Sequence, residues 1–202
     1  GSIDWLYLGV PTRPIVTGTT ATEHGVGCEG CHGPGSAHVA WAKAAPEVRS
    51  RDARRGLVAV LPGPQTFAFE AGKPSAQPTR ARDATQVEAC GRCHARRTPT
   101  AAYEHGKPLL DTHLVALLDD PLYFADGRIR DEVFEYGSFA QSRMFHRGVT
   151  CTDCHAPHSG RLRAEGNALC TRCHDAKTFD APTHHHHEAG TPGAQCVDCH
   201  MP

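Results

Sequence analysis

Apolar residues in this chain fall in short patches broken by Gly, Pro and charge, and no patch keeps one period for long. Residues 1–27 open on WLYL and pass through Pro11, Pro14 and a Thr/Gly run, which predicts a strand and a loop. After the GPG turn at 33–35, Ser36 is placed to cap a short helix, HVAWAKAA, that stops before Pro46. LVAVL and TFAFE flank PGPQ and predict a hairpin, followed by a loop through GKPSAQPTRAR. Asp83 or Thr85 can cap a helix carrying TQVEACGRCHARR. Pro108 opens a helix predicted through LLDTHLVALLDD, and Pro121 follows it. LYFADGRIRDEV reads as a hairpin turning at Asp126-Gly127. EYGSFAQSRMFHRG reads as a helix with Gly148 as its stop.

These elements are too short to bury much of one another. Only 39% of residues are hydrophobic and 6% aromatic, and 20 Gly and 15 Pro interrupt the chain. What changes the picture is a pattern that occurs five times, C-x-x-C-H: CEGCH at 28–32, CGRCH at 90–94, CTDCH at 151–155, CTRCH at 170–174 and CVDCH at 196–200. They are motifs 1 to 5 below. This is the attachment signature of c-type haem. Two thiols one helical turn apart add to the two porphyrin vinyl groups, and the next residue, His, reaches the iron. Zinc knuckles and thioredoxin-like pairs also use C-x-x-C, but neither needs a His directly after the second Cys. The motifs use all ten cysteines: Cys28, Cys31, Cys90, Cys93, Cys151, Cys154, Cys170, Cys173, Cys196 and Cys199. The expected cofactors are five covalently bound haem c groups with their iron, and no thiol remains for a disulfide.

The expected fold is mainly α with large irregular content, short helices and one or two small β-hairpins wrapped around five haems that form the core. The expected organisation is one pentahaem domain over 1–202. Motif starts are 62, 61, 19 and 26 residues apart. That spacing predicts a looser part, 1–148, with two haems and hairpin insertions, and a tight three-haem cluster at 149–202. The motifs differ outside C-x-x-C-H, so the repetition is not that of a solenoid.

His32, His94, His155, His174 and His200 are the proximal ligands by the motif. Ten His remain: His24, His38, His105, His113, His146, His158 and the run His184, His185, His186, His187. Met144 and Met201 are the only methionines. The sixth ligands are therefore expected to be mostly imidazole, giving six-coordinate, low-potential iron. His38 sits on a short helix beyond motif 1. His158 is too close to His155 to reach round the same ring and would serve a neighbour. One or two members of the 184–187 run are expected to ligate, with His184, His185 and His187 as candidates. His24, His146 and His113 complete the distal set.

The formal charge is −1, and no basic run beyond RSRDARR at 49–55 stands out, so no nucleic-acid partner is expected. That cluster reads as a solvated helix face or a patch pairing with haem propionates. No stretch approaches a transmembrane helix. Since c-type haem is attached outside the cytoplasmic membrane, the chain is expected to be exported, periplasmic or at the cell surface, with its signal peptide not part of this sequence.

GVGCEGCHGPGSAHVAWA, ACGRCHARR, the long stretch from LLDTHLVALLDD through ALCTRCH, and HHHHEAGTPGAQCVDCHMP resemble one group of multihaem cytochromes c. These are long exported proteins, many with tetratricopeptide repeats, related to the nitrite-reductase-like and hydroxylamine-oxidoreductase-like superfamily. The resemblance implies a mostly helical domain of closely packed porphyrins, with His38, His158 and members of the 184–187 run as distal ligands. Relatives carry further motifs before this region and a continuation after CHMP. Nitrite reductases of this kind mark their catalytic haem with Lys in place of the motif His, and none of the five motifs here does so. Nothing in the sequence marks Tyr7, Tyr103, Tyr123 or Tyr136 for the cross-link of the hydroxylamine oxidoreductases.

The leading functional expectation is electron transfer through closely spaced, mostly bis-histidine haems. The alternatives are a multihaem oxidoreductase on a small nitrogen or sulfur compound, which needs one open iron position, and a subunit of an extracellular conductive filament. Expected partners are other redox proteins or further copies of the chain, in a complex or filament formed through exposed terminal haems, above all the one at motif 5.

Overall fold

The structure is a computed structural model that describes residues 25–201. The expected N-terminal strand and His24 lie outside the described residues. The chain divides into two compact units, Gly1–Ala59 and Val60–Pro202. The first carries motif 1 and the second carries motifs 2 to 5. The described chain is a mixture of short helices, of four to ten residues, and three two-stranded antiparallel pairs.

In the first unit, motif 1 forms the helix Cys28–His32, which ends at Gly33 with φ 79°, a conformation that favours glycine. The helix Ser36–Lys43 follows as expected, although Ser36 is its first residue and Gly35 occupies the cap position. Pro46 starts the helix Pro46–Arg49. The basic cluster after it is a turn and not a helix face. Asp52 accepts from the N–H groups of Arg54 (2.9 Å) and Gly56 (2.7 Å) and holds it closed. Gly56, at φ 69°, lies so close to the Ala37 backbone that a Cβ there would come within 2.5 Å of the Ala37 carbonyl oxygen.

The second unit is organised around the helix Thr85–His94, which carries motif 2. Asp83 accepts the Thr85 N–H at 2.9 Å, one of the two cap candidates. Its buried face presents Gln86, Val87, Ala89 and Gly91. Leu109 and Tyr136 press on Gly91, where a Cβ would stand 2.5 Å from Tyr136 Cδ2 and 2.9 Å from Leu109 Cδ2.

Several predicted elements take other forms. LVAVL is not a strand: both backbone groups of Ala59 are taken by His32, whose carbonyl accepts the Ala59 N–H and whose Nδ1 meets the Ala59 carbonyl, each at 3.0 Å. Phe67–Ala68 pairs instead with Gln77–Pro78, inside the segment read as loop. LLDTHLVALLDD is not a helix. Leu109–Asp111 is a single 3₁₀ turn, and His113–Val115 pairs with Arg97–Pro99. Leu109, Thr112 and His113 are buried at helical spacing, but the backbone bonds across to the preceding segment: the Thr112 carbonyl accepts the Thr100 N–H and the Ala116 N–H donates to the Arg96 carbonyl, each at 2.8 Å. The Asp126-Gly127 turn forms, with Gly127 at φ 86° and Tyr123 bridged to Ile129, but the ladder stops there. The helix after Val133 breaks at Ser142 into Glu135–Gln141 and Arg143–His146, and the Ser142 side chain caps the second piece. A third pair, His155–Ala156 with Arg161–Leu162, was not legible in the sequence.

The protein core is thin. Among the described residues the buried apolar set is mostly Ala and Val with Leu109 and Tyr123, while Val26, Val39, Phe69, Leu114, Leu117 and Leu162 are half or more exposed.

Candidate haem sites

Motifs 1, 2 and 5 are helical through their His, in Cys28–His32, Thr85–His94 and Cys196–His200. Motif 3 is helical over Cys151–Cys154 and leaves the helix at His155, which is extended. In motif 4 the helix Asn167–Cys170 hands over to a turn, with the N–H of Cys173 and of His174 bonded to the Cys170 carbonyl at 3.1 and 3.0 Å. In each, the two sulfurs stand about one turn apart. All ten are thiols.

The polar interior of the second unit anchors motif 3. Thr150 and Asp153 form a capping box: Asp153 Oδ2 accepts the Thr150 N–H at 2.7 Å and its hydroxyl at 3.1 Å. Asp153 Oδ1 accepts the Gln65 N–H at 2.5 Å. Gln86 is 1% exposed and bridges Pro62 O (3.1 Å) and the Thr152 N–H (3.0 Å). Glu88 accepts the Leu109 N–H at 2.9 Å. It also sits against Tyr136, whose hydroxyl is pushed up to about 12, first by burial and then by the Glu88 charge. Neither Gln86 nor Glu88 was singled out by the sequence. The T-C-T-D pattern was there to be read as a capping box.

The imidazoles show how iron could be held. A ligating His commonly gives its second ring N–H to a carbonyl, a carboxylate or water, which leaves the other nitrogen's lone pair for the metal. His32 Nδ1 donates to the Ala59 carbonyl at 3.0 Å, and His38 Nδ1 to the Arg55 carbonyl at 2.7 Å. A carbonyl can only accept, so Nε2 of both rings carries the lone pair. His174 Nδ1 meets Ser75 Oγ at 3.2 Å, and His113 Nδ1 meets Thr112 Oγ1 at 2.9 Å. Burial, and secondarily His200, hold His174 below the usual His range; burial, Arg97 and Arg92 do the same for His113. Both shifts favour the neutral imidazole, the form that binds metal.

The rings of His184 and His200 lie 6.0 Å apart between centroids, with planes 7° from parallel. Two imidazoles on opposite sides of one metal, each with a metal–nitrogen bond of about 2 Å, have ring centroids roughly 6 Å apart. The centroid separation of this pair matches that of two imidazoles sharing one iron. His185 fits less well: its Nδ1 accepts the His187 N–H at 3.1 Å, so its proton is on Nε2. His187 packs its ring on Gly193.

Other candidates lie at the surface. His146 is exposed at the end of Arg143–His146, edge-on to Phe145 at 5.6 Å. His158 is exposed in the turn between His155–Ala156 and Arg161–Leu162. His94 and His155 are exposed at their motifs. Among the described residues no three His, Cys, Asp or Glu side chains converge as on a protein-ligated metal. The donor set is one of single imidazoles and imidazole pairs beside paired thiols, which is what a porphyrin iron takes from protein.

Residues 144–179, spanning motifs 3 and 4, match the family model for a doubled CXXCH motif. No curated protein and no solved structure matches the chain significantly. The doubled motif indicates covalently bound c-type haem with iron and points to a multihaem c-type cytochrome. No helix among the described residues is long and apolar enough to cross a membrane.

Proposed function

We propose that this chain is an electron-transfer protein holding five haem c groups, one per motif, most of them with two imidazole ligands. When bound, haem iron supplies a one-electron couple; the chain's own residues fix, orient and shield it. The cysteines anchor each ring covalently. His32, His94, His155, His174 and His200 would each ligate the iron at their own motif. His38 and His184 are the distal ligands that the geometry and the family resemblance favour together, and the resemblance adds His158. The single observation that carries the reading is the His184–His200 pair, because two protein ligands close both axial positions and leave none for a substrate.

The wider reading follows the resemblance to exported multihaem cytochromes of the nitrite-reductase-like and hydroxylamine-oxidoreductase-like superfamily. It places the protein outside the cytoplasmic membrane, exchanging electrons with redox proteins or with copies of itself. The test is the ferric spectrum of the haem-loaded protein together with its intact mass. Five haem additions and low-spin iron are expected. A substantial high-spin fraction in the unmodified protein would instead favour the oxidoreductase reading.

A further inference from the structure

In the unit Val60–Pro202 the four motifs are tied to one another by side chains that do not themselves bond a haem. Gln86, one turn ahead of Cys90, accepts the N–H of Thr152, between the cysteines of motif 3, at 3.0 Å. Arg172, between the cysteines of motif 4, donates Nη1 at 2.6 Å to the carbonyl of Asp153, between the cysteines of motif 3. Asn167, at the start of the motif 4 helix, accepts the N–H of Cys196, the first residue of motif 5, at 2.8 Å. Its Nδ2 donates to the Ala194 carbonyl at 2.9 Å and to Asp180 at 2.7 Å.

The aromatic rings follow the same order. Between motifs 4 and 5, Phe179 stands edge-on to His174 at 5.5 Å and to His184 at 5.4 Å. Sequence distance does not predict these junctions. Motifs 2 and 3 start 61 residues apart and motifs 4 and 5 start 26 apart, yet both pairs are in direct contact.

We infer that Gln86, Arg172 and Asn167 are positioning residues that lock motifs 2, 3, 4 and 5 into one unbranched row in chain order. The inference takes from the proposed function only that the motifs carry haem. Each of the three bonds runs from a side chain to a backbone group of the neighbouring motif, so it fixes where that motif's anchor sits rather than which ligands it uses. The ends of the row are motifs 2 and 5.

The test uses the haem-loaded full chain. Arg172 is exposed, so Arg172→Met should keep the fold and the haem content. It should lose the magnetic interaction between the third and fourth irons in low-temperature electron paramagnetic resonance, and Arg172→Lys should largely restore it. Asn167→Ala should do the same for the fourth and fifth. Unchanged interactions in both Arg172→Met and Asn167→Ala would overturn the positioning role. The order is read independently from iron–iron distances in a structure of the loaded protein. The three shortest within this unit should join consecutive motifs, and a shorter distance between motifs 2 and 4, 2 and 5 or 3 and 5 would overturn the row. High-spin iron at these sites with the distances in chain order would remove the electron-carrier reading and leave the row standing.

Discussion

An imidazole holds iron only through a nitrogen whose lone pair is free, and that condition separates neighbours that look identical in sequence. In the run His184–His187, His184 faces His200 with near-parallel planes, while His185 spends its Nδ1 lone pair on the His187 N–H. His184→Ala should therefore convert one ferric haem to high spin with haem content unchanged, and His185→Ala should leave the spectrum low-spin. Absorption and magnetic resonance spectra of the two variants check this directly. His113 carries a second consequence. It is 6% exposed and its pKa lies below the usual His value, first because of burial and then because of Arg97 and Arg92. A depressed His pKa means that the unfolded chain binds more protons than the folded one, so stability rises with pH across the shift. The contribution is complete above the unfolded value of about 6.5 and is lost as pH falls toward the folded value. Denaturant unfolding of the loaded protein should show stability dropping below about pH 6.5, and His113→Leu should flatten that slope.

At the scale of elements, the motif 2 helix shows how little slack the packing leaves. Gly91 lies inside C-G-R-C-H, where most residue types satisfy the attachment pattern, yet Tyr136 and Leu109 close over it. Gly91→Ala should gain roughly 1 kcal/mol of helix propensity. It should lose more, about 1–3 kcal/mol, to overpacking against the Tyr136 ring. The expected net effect is a lower thermal midpoint with unchanged haem content, measured by calorimetry. Elements with a local chemical signature were legible. Proline and turn signals bounded Ser36–Lys43, Asp83 marked the start of Thr85–His94, and Asp126-Gly127 marked its turn. Elements that exist only through distant partners were not. Phe67–Ala68 with Gln77–Pro78 is two residues wide, too short to show a period of two. The region after Pro108 buries Leu109, Thr112 and His113 at helical spacing, yet its backbone pairs with Arg97–Pro99, a partner that the local pattern does not show. The attachment residues were legible because covalent chemistry fixes their spacing. The bonds that set one motif against another, Gln86 to Thr152 and Asn167 to Cys196, span 66 and 29 residues and leave no trace in local sequence.

For the molecule as a whole, the question is what holds so many short elements in place. Helices of four to ten residues are marginal alone in water, and two-residue strand pairs are weaker still. The buried apolar set among the described residues is dominated by small side chains, and Val, Leu and Phe side chains near the motifs are left exposed. The four salt bridges among the described residues all join side chains about half exposed or more, where a pair contributes about 0–1 kcal/mol. Protein–protein burial of this extent does not offset the conformational entropy of ordering the chain, roughly 1–2 kcal/mol per residue for the backbone alone. Covalently bound porphyrins would supply apolar surface, so folding and haem attachment should be one event, as metal binding and folding are in small metal-dependent domains. Chain produced without haem attachment should lack cooperative unfolding and show far-ultraviolet circular dichroism of a mostly disordered polypeptide. The loaded protein should show a single sharp transition or one for each compact unit. Removing one haem through Cys151→Ala with Cys154→Ala, at the motif packed against Gln86 and Arg172, should lower the midpoint more than the same pair of changes at Cys196 and Cys199, where Cys199 and Val197 are exposed. A chain without haem that unfolded cooperatively near the loaded protein's midpoint would show that the polypeptide supplies its own core.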